Sequence, residues 1–192
     1  MRRFLRFSLL DKRDLLILAF ACLISLGTYL FASRLYFRIG FPLDDSWIHL
    51  TYARNLVTNG EWAFQPGLPS AGSTSPLWTG LLALGFLTSL APYLWTYFLG
   101  GLILFGLGWL GEYVVRALRP DYHPRLPWVG LFIVAEWHMI WSAASGMETL
   151  LHAFLITASL GMLITHSRRF LAMGMLAGLG IWIRPDAATL LI

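Results

Sequence analysis

The sequence predicts an all-α fold, a polytopic bundle of transmembrane helices with a long first outer loop that carries short helices at the membrane surface. Of the 192 residues, 57% are hydrophobic and 12% are charged, whereas soluble domains carry about 25% charged residues. The apolar residues are gathered into six segments, several of them long enough to cross a bilayer. A chain this apolar needs a lipid-like solvent, which excludes an ordinary soluble domain.

The six apolar segments are residues 15–33, 76–90, 93–115, 127–144, 147–165 and 170–183. A helix that crosses a bilayer needs about 20 residues, with a range of about 17–25, and the first, third, fourth and fifth segments meet this length. The segment 76–90 is shorter and lies between Pro76 and Pro92, so we predict an interfacial or re-entrant helix there. No cleavage site follows segment 15–33, which predicts a retained span rather than a signal peptide. Apolar sequence resumes at 190–192, so we expect the N-terminal part of a longer module.

The basic residues predict how the helices are oriented. They form three clusters, each beside an apolar segment: Arg2, Arg3, Arg6, Lys12 and Arg13; Arg116, Arg119 and Arg125; Arg168 and Arg169. Positive charges collect on the cytoplasmic side of a membrane, and a segment 76–90 that does not cross puts all three clusters there. We therefore predict an inner (plasma) membrane protein with a cytoplasmic N-terminus and residues 34–75 outside. The net charge of +4 is dispersed, which does not indicate a nucleic-acid partner.

The outer loop 34–75 has roughly 40 residues, whereas most loops have about 4–6 and longer ones are often functional. Its aromatic residues suit a membrane interface. We predict a short helix over residues 46–57, then an irregular stretch broken by glycine and proline from Gly60 to Gly72. Ser75 followed by Pro76 is a helix-start signal, with serine as the cap and proline in the first turn.

Two adjacent carboxylates, Asp44 and Asp45, lie just past the first predicted span. They repel each other unless a base, a proton or a cation lies between them. One of them is a candidate general base, and together with Glu148 or Asp186 they could hold a divalent cation such as Mg²⁺. The alternative is structural, because aspartate is a preferred helix N-cap.

The helical spacing of three and four assigns the residues of segment 46–57 to faces. Asp45, His49 and Tyr52 are predicted to share one face with Leu56. Asp44 is predicted to lean toward Thr51 and Asn55 instead. The two carboxylates therefore need not have the same role.

Charged residues in three further places are predicted at the outer surface. Arg54 could bind a phosphate through two hydrogen bonds or extend to lipid headgroups. Glu148 follows Ser-Gly-Met between two spans, where an acidic group also favours the start of a helix. Arg184 and Asp186 flank Pro185 and could simply pair with each other. The functional interpretation is that these turns face the same outer cavity as the two aspartates.

Glu136 and His138 fall inside the fourth apolar segment. Ionisable residues inside membranes are costly and usually face the bundle interior, so they are predicted to pair with Glu112 or with helices beyond this chain. A structural polar contact is the favoured interpretation. The alternative is a transporter or channel-like protein, for which the expected internal repeats are not evident. A scaffold without activity also stays open.

The loop sequence resembles a known family. The run DDSWIHLTYARNL at 44–56, then Gly60, FQPG at 64–67 and STSPLW at 73–78 resembles the first outer loop of bacterial GT-C glycosyltransferases. The resemblance is strongest to the mycobacterial-type arabinofuranosyltransferases, with protein O-mannosyltransferases and the lipid A aminoarabinose transferase as more distant kin. The runs SGMET at 145–149 and RPD at 184–186 are similar to later motifs of that group. The resemblance covers most of the chain, and its first block is the specific one.

The resemblance implies an activity. These enzymes move a sugar from a polyprenyl-phosphate donor to a hydroxyl of a glycan, a lipid or a protein at the outer face of the membrane, with inversion. An aspartate of the first outer loop is the general base, which implies Asp44 or Asp45, with Asp44 preferred. No cofactor is implied, although a divalent cation such as Mg²⁺ is possible. The chain lacks the family's further spans and outer domain, and the sugar is not specified. The resemblance implies that Arg54, Asn55, Glu148 and Arg184 shape the sites of the carrier phosphate and the sugar. We predict that His49, Tyr52 and Asp186 also bind substrate, although His49 stands where many relatives carry a small or apolar residue.

Overall fold

The computed structural model describes residues 10–88, 90–165 and 169–191, and this part of the chain is mostly helical, as the sequence predicts. Arg2, Arg3, Arg6 and Arg168 of the basic clusters lie outside the described residues. The α-helices are α1 (Lys12–Tyr36), α2 (Asp44–Asn59), α3 (Pro76–Leu87), α4 (Pro92–Leu118), α5 (Trp128–Ala135), α6 (Trp137–Ala144), α7 (Thr149–Ile164) and α8 (Phe170–Ile183). A hairpin of β1 (Ala63–Gln65) and β2 (Leu68–Pro69) follows α2, and a 3₁₀ helix (Pro185–Leu191) follows α8.

Two helices of the described chain are long and apolar enough to cross a membrane. They are α1 with 25 residues and α4 with 27, and they contain the predicted segments 15–33 and 93–115. Helix α3 has only 12 residues, which at about 1.5 Å per residue gives about 18 Å. The hydrocarbon core of a bilayer is about 30 Å thick. Helix α3 is therefore too short for a straight span, and the interfacial or re-entrant position of segment 76–90 stays a prediction.

The prediction of one continuous helix over 127–144 is wrong. The backbone of Glu136 is extended, with φ −72° and ψ 131°, and it separates α5 from α6. The Glu136 carboxylate accepts the backbone N–H of Met139 at 3.0 Å, so it caps the start of α6 and satisfies one of the donors that a helix N-terminus leaves free. The amino-acid pattern contains no clear sign of this break, because the segment is apolar on both sides of it and neither proline nor glycine occurs at that point.

Antiparallel packing around α4 gathers the site residues at one end of the bundle. Near the start of α4, the Tyr97 hydroxyl donates to the Gly40 carbonyl, beyond the end of α1, at 3.0 Å. Near its end, Arg116 donates to Asp14 at the start of α1 at 2.8 Å. Helix α4 also packs against α3, α5, α6 and α7. We call the end that carries α2, residues 60–75 and the turn 145–148 the loop end.

At the opposite end, Glu112 joins three helices. It is fully buried, and its Oε1 accepts from Arg116 Nε at 2.8 Å. Its Oε2 accepts the backbone N–H groups of Val129 at 2.9 Å and Gly130 at 3.2 Å. These are free donors of the first turn of α5, where a negative charge also favours the helix dipole. Arg116 extends the network to Asp14 on α1.

The predicted pairing of Glu112 with Glu136 or His138 is therefore wrong, because Glu112 lies at the far end of α4 and is already paired. Glu136 and His138 contact each other, with Glu136 Oε1 2.6 Å from His138 Nδ1. The His138 side chain is 84% exposed on the outside of the bundle. The pair is a local polar contact rather than part of an internal path through the described helices.

Glycines allow the helices of the bundle to approach closely. A Cβ on Gly100 of α4 would overlap the carbonyl oxygen of Ala143 on α6. A Cβ on Gly130 of α5 would lie 2.8 Å from the carbonyl oxygen of Gly108 on α4. Small residues at such crossings are typical of membrane helix packing.

Gly100→Ala is expected to destabilise the protein by about 1–3 kcal/mol, because the new methyl group meets rigid backbone and α4 must move away from α6. Gly174→Ala is the matched control, because a Cβ at Gly174 of α8 meets nothing within 4 Å and alanine favours helix. Thermal unfolding of the detergent-solubilised protein measures both. Equal melting temperatures for the two variants would contradict the close α4–α6 crossing.

Candidate functional site

Helix α2 begins and ends with recognisable signals. Leu43 is its N-cap, with extended backbone, and Asp44 and Asp45 occupy the first turn, where negative charge favours the helix dipole. It ends at Gly60, whose φ of 70° is left-handed and whose N–H bonds back to the Leu56 carbonyl, a glycine helix ending. The alternative that an aspartate is the N-cap is therefore wrong, since neither aspartate is the capping residue.

Both aspartates are exposed. The backbone N–H of Asp45 donates to Asp44 Oδ1 at 3.1 Å, which holds one oxygen of Asp44 and leaves the other free. The predicted face shared by Asp45, His49 and Tyr52 is only partly present, because His49 and Tyr52 are buried while Asp45 is not. Burial on α2 follows a broader band that also includes Asn55. The first turn of α2 therefore presents two carboxylates to the surroundings.

The turn 145–146 holds the start of α2 in place. The Ser46 hydroxyl, fully buried, donates to the Ser145 carbonyl at 2.6 Å. Trp78 at the start of α3 donates its indole N–H to the Gly146 carbonyl at 2.9 Å. Gly146 has φ of 80°, and a Cβ there would lie 2.7 Å from the Phe41 ring. These contacts join the loop motif to the SGMET run.

His49 and Glu148 meet inside this junction. His49 Nε2 lies 3.3 Å from Glu148 Oε2, and the two residues are only 2% and 4% exposed. His49 Nδ1 lies 2.9 Å from Ser73 Oγ, which in turn lies 2.7 Å from Thr79 Oγ1. Two residues predicted to bind substrate are thus directed at each other and shielded from solvent.

The electrostatics of Glu148 reflect this contact. Burial alone raises the pKa of the Glu148 carboxyl, but the contact with the His49 ring and the positive charge of Arg184 outweigh it, so the pKa is lowered. The carboxylate is therefore the stable form at neutral pH. Arg184, the C-cap residue of α8, acts on the same carboxylate through space, which links the RPD run to the loop end.

The lowered pKa of Glu148 predicts a pH dependence of stability. A carboxyl whose folded pKa is depressed stabilises the fold above its ordinary value of 4.5, and this stabilisation is lost as the pH falls through the lowered folded value. We expect the melting temperature of the wild type to fall between pH 6 and pH 3.5 more than that of Glu148→Gln. Parallel curves for the two proteins would contradict the ionised state of Glu148.

Tyr52 and Asn55, also predicted to bind substrate, hold the loop instead. The buried Tyr52 hydroxyl lies 2.5 Å from Ser70 Oγ and accepts the Gly72 N–H at 2.7 Å. Asn55 Nδ2 donates to the carbonyls of Ala63 at 2.9 Å and Phe64 at 3.0 Å. Their contacts fix residues 60–72 against α2, which gives both side chains a structural role.

Arg54 and Arg184, both predicted to bind substrate, carry accessible cationic groups at the loop end. Arg54 is exposed, and its Nε donates to Asn55 Oδ1 at 3.3 Å. Arg184 Nε lies 3.2 Å from Asp186 Oδ1, the simple pairing that the sequence left as an alternative. The pair is on the surface, where such contacts are weak, so the guanidinium of Arg184 is available to an anion.

An aromatic cluster beside the aspartates was not predicted. The ring centroid of Phe41 lies 5.5 Å from that of Trp47 and 5.3 Å from that of Tyr93, and Trp47 and Tyr93 are 5.7 Å apart. Phe41 and Trp47 flank the aspartates in sequence. Trp47 is partly exposed, so an apolar surface adjoins the carboxylates. The sequence indicated only that the aromatic residues of loop 34–75 suit a membrane interface.

The possible divalent cation has no ready-made set of ligands in the described chain. No group of three or more histidine, cysteine, aspartate or glutamate side chains lies close enough there to hold a metal ion. Glu148, named as a partner for the two aspartates, is directed at His49. Asp186, the other named partner, contacts Arg184. A bound Mg²⁺ stays a prediction.

Scans of protein-family models, of curated proteins and of solved structures find no match to this chain. The resemblance of the loop motifs to GT-C enzymes therefore stays a prediction, and the functional argument depends on the geometry of the loop end.

Proposed function

We propose that this chain is a membrane glycosyltransferase of the GT-C type. It moves a sugar from a polyprenyl-phosphate donor to a hydroxyl group of a glycan, a lipid or a protein. The observation that carries the proposal is the first turn of α2, where two exposed carboxylates lie beside an aromatic surface at the loop end. Accessible guanidinium groups and the predicted outer-loop motifs occur at the same end of the bundle.

The reaction uses Asp44 as the general base. Its free oxygen accepts the proton of the acceptor hydroxyl, whose oxygen then attacks the anomeric carbon of the donor sugar. The bond between that carbon and the phosphate oxygen breaks, and polyprenyl phosphate leaves with the bonding electrons. One direct displacement inverts the anomeric configuration. Asp45, one residue further along α2, is the alternative base.

The leaving group is an anion at the membrane surface, so cations should stabilise it. Arg54 and Arg184 are the candidates, because a guanidinium binds phosphate oxygens through two parallel hydrogen bonds. The aromatic cluster of Phe41, Trp47 and Tyr93 offers an apolar surface for the sugar ring or the first prenyl units. Sugar transfer in this arrangement needs only the positioning of donor and acceptor, a general base and cations that stabilise the leaving phosphate.

The proposal includes a membrane arrangement. Helices α1 and α4 span the bilayer, α5 and α6 together form a third span, and α7 and α8 complete a multi-pass bundle. The loop end faces the periplasm or the cell exterior, and the N-terminus lies in the cytoplasm. Exposed basic residues at the opposite end, Lys12, Arg13, Arg119 and Arg125, agree with a cytoplasmic face.

Sugar transfer in bacterial membranes that contain the protein tests the proposal. Polyprenyl phosphates carrying tritiated arabinofuranose, mannose or aminoarabinose are supplied, and label is followed into lipid, glycan and protein fractions. Membranes that contain the Asp44→Asn/Asp45→Asn protein at equal abundance are the control. We expect wild-type-dependent incorporation from one donor. Equal incorporation by both membranes from every donor would contradict the proposal.

A further inference from the structure

The contact between His49 and Glu148 is the least accessible part of the site. Both side chains are almost fully buried, whereas a residue that binds a sugar or a phosphate must be reached by it. Both residues were predicted from the sequence to bind substrate. Their mutual contact calls for a different role.

The histidine ring has a polar neighbour at each nitrogen. Nε2 faces the ionised Glu148, so it must carry hydrogen to be stable there, and Nδ1 faces the Ser73 hydroxyl. A hydroxyl can donate or accept, so Ser73 satisfies Nδ1 in either protonation state of the ring. Thr79 completes the chain of hydroxyl groups at 2.7 Å. The ring orientation is therefore determined by α2, α3, the loop and the turn before α7 together.

The position of His49 on α2 connects it to the first turn, which carries the proposed base Asp44 and its alternative Asp45. In a helix, residues four apart have Cβ atoms about 5–6 Å from each other, which puts His49 one turn beyond Asp45. Ser46, between them, bonds to the Ser145 carbonyl. Two adjacent turns of α2 are thus attached to residues 145–148, one through Ser46 and one through His49. Two attachments fix both the rotation of α2 about its axis and its position along that axis, whereas a single attachment cannot fix both.

We propose that His49 is a positioning residue for sugar transfer: its buried contact with Glu148 fixes the first turn of α2, and with it the catalytic aspartate, against the turn 145–148. This inference rests on the proposed function for its catalytic readout. Glu148 is the anchoring partner and neither residue touches the donor. The other charged group that acts on Glu148 is Arg184, which follows α8, and the neutral hydroxyls of Ser73 and Thr79 lie on the other side of the His49 ring.

The test compares His49→Gln, Glu148→Gln and the double variant with wild type. The matched control is the exposed pair of the same chemistry, replaced by His138→Gln and Glu136→Gln. Steady-state kinetics are measured with the tritiated polyprenyl-phosphate sugar that the wild type uses. A misplaced base is expected to lower kcat by about 10²-fold with KM for the donor within about threefold, and the control pair leaves both unchanged.

The double variant decides whether the pair acts as a unit. If it does, removing both partners lowers kcat no more than removing one, because the effects of interacting residues are not additive. A raised KM with unchanged kcat indicates lost donor binding and would overturn the proposal. Multiplied losses of kcat in the double variant would overturn it as well.

Melting temperatures separate this inference from the proposed function. His49→Gln leaves the buried Glu148 carboxylate with only a neutral amide as its neighbour, which is destabilising because a buried charge needs an opposite charge or several hydrogen bonds, whereas in the double variant two neutral amides can bond to each other. The double variant is therefore expected to be at least as stable as His49→Gln, even where that single variant does not fold. A double variant with a lower melting temperature than His49→Gln would contradict the inference. If the wild type transfers no sugar, the proposed function is contradicted, but the comparison of melting temperatures still tests this inference.

Discussion

Replacing Asp44 by asparagine is expected to lower kcat for sugar transfer by about 10²–10⁴-fold, the usual contribution of a general base. Asparagine keeps the shape and can still accept the Asp45 N–H that now holds Asp44 Oδ1. It cannot take a proton from the acceptor hydroxyl. The loss should therefore fall on kcat, with little change in KM for the donor or in melting temperature.

Asp45→Asn is the matched comparison, because the two residues are adjacent, exposed and in the same helical turn. If Asp44 is the base, Asp45→Asn retains much more activity than Asp44→Asn. If instead Asp45→Asn loses more activity than Asp44→Asn, Asp45 is the base and the mechanism is otherwise unchanged. Wild-type activity in both variants would contradict the mechanism.

Replacing Glu112 by alanine is expected to lower the free energy of unfolding by about 3–5 kcal/mol, as when a buried ion pair loses one partner. The substitution leaves the N–H groups of Val129 and Gly130 without their acceptor. It also removes one of the two carboxylates that bond to Arg116. Helices α1, α4 and α5 lose their shared contact at this end, and thermal or denaturant unfolding in detergent measures the change.

Asp121→Ala is the control for this prediction, because Asp121 is an exposed carboxylate in the connection between α4 and α5. A surface substitution of this kind is expected to stay within about ±0.5 kcal/mol. Glu112→Gln should be intermediate, since its amide oxygen can still accept one N–H. Equal stability of Glu112→Ala and Asp121→Ala would show that the buried network adds nothing.

The sequence was sufficient for most of the helices, because apolar runs and their proline and glycine boundaries are local signals. Segment 170–183 coincides with α8, and the predicted helix 46–57 lies inside α2. Pro76 and Pro92 both begin helices, α3 and α4. Each of these boundaries is determined by residues within one or two turns of it.

The elements that were missed depend on side-chain contacts. The break at Glu136 needs a carboxylate that turns back to its own backbone, which an apolar run does not reveal. The β1–β2 hairpin turns at Pro66 and Gly67, where Gly67 has φ of 79°. That dipeptide is a turn signal, but it was taken only as a loop breaker because the strands on either side are very short.

In the candidate site, too, local sequence patterns identified residues, whereas packing determined their contacts. The sequence indicated His49 and Glu148 as functional residues. It did not indicate that they contact each other, because the elements that carry them are far apart in the chain. Ser46 and Ser145, which form the neighbouring link, are 99 residues apart. Burial on α2 also differs from the simple spacing rule, because the turn at Ser145, the loop at Ser73 and helix α3 pack against it. Which polar residues face a substrate and which hold the fold is a property of the packing.

The most direct test of the central claim follows both products of the reaction at once. Purified protein in liposomes is given the polyprenyl phosphate carrying tritiated sugar, and free polyprenyl phosphate and glycosylated acceptor are quantified over time. The account predicts that the two appear in equal amounts, with an inverted anomeric centre, and that Asp44→Asn suppresses both. Labelled acceptor without released polyprenyl phosphate, or neither product from any donor, would contradict it.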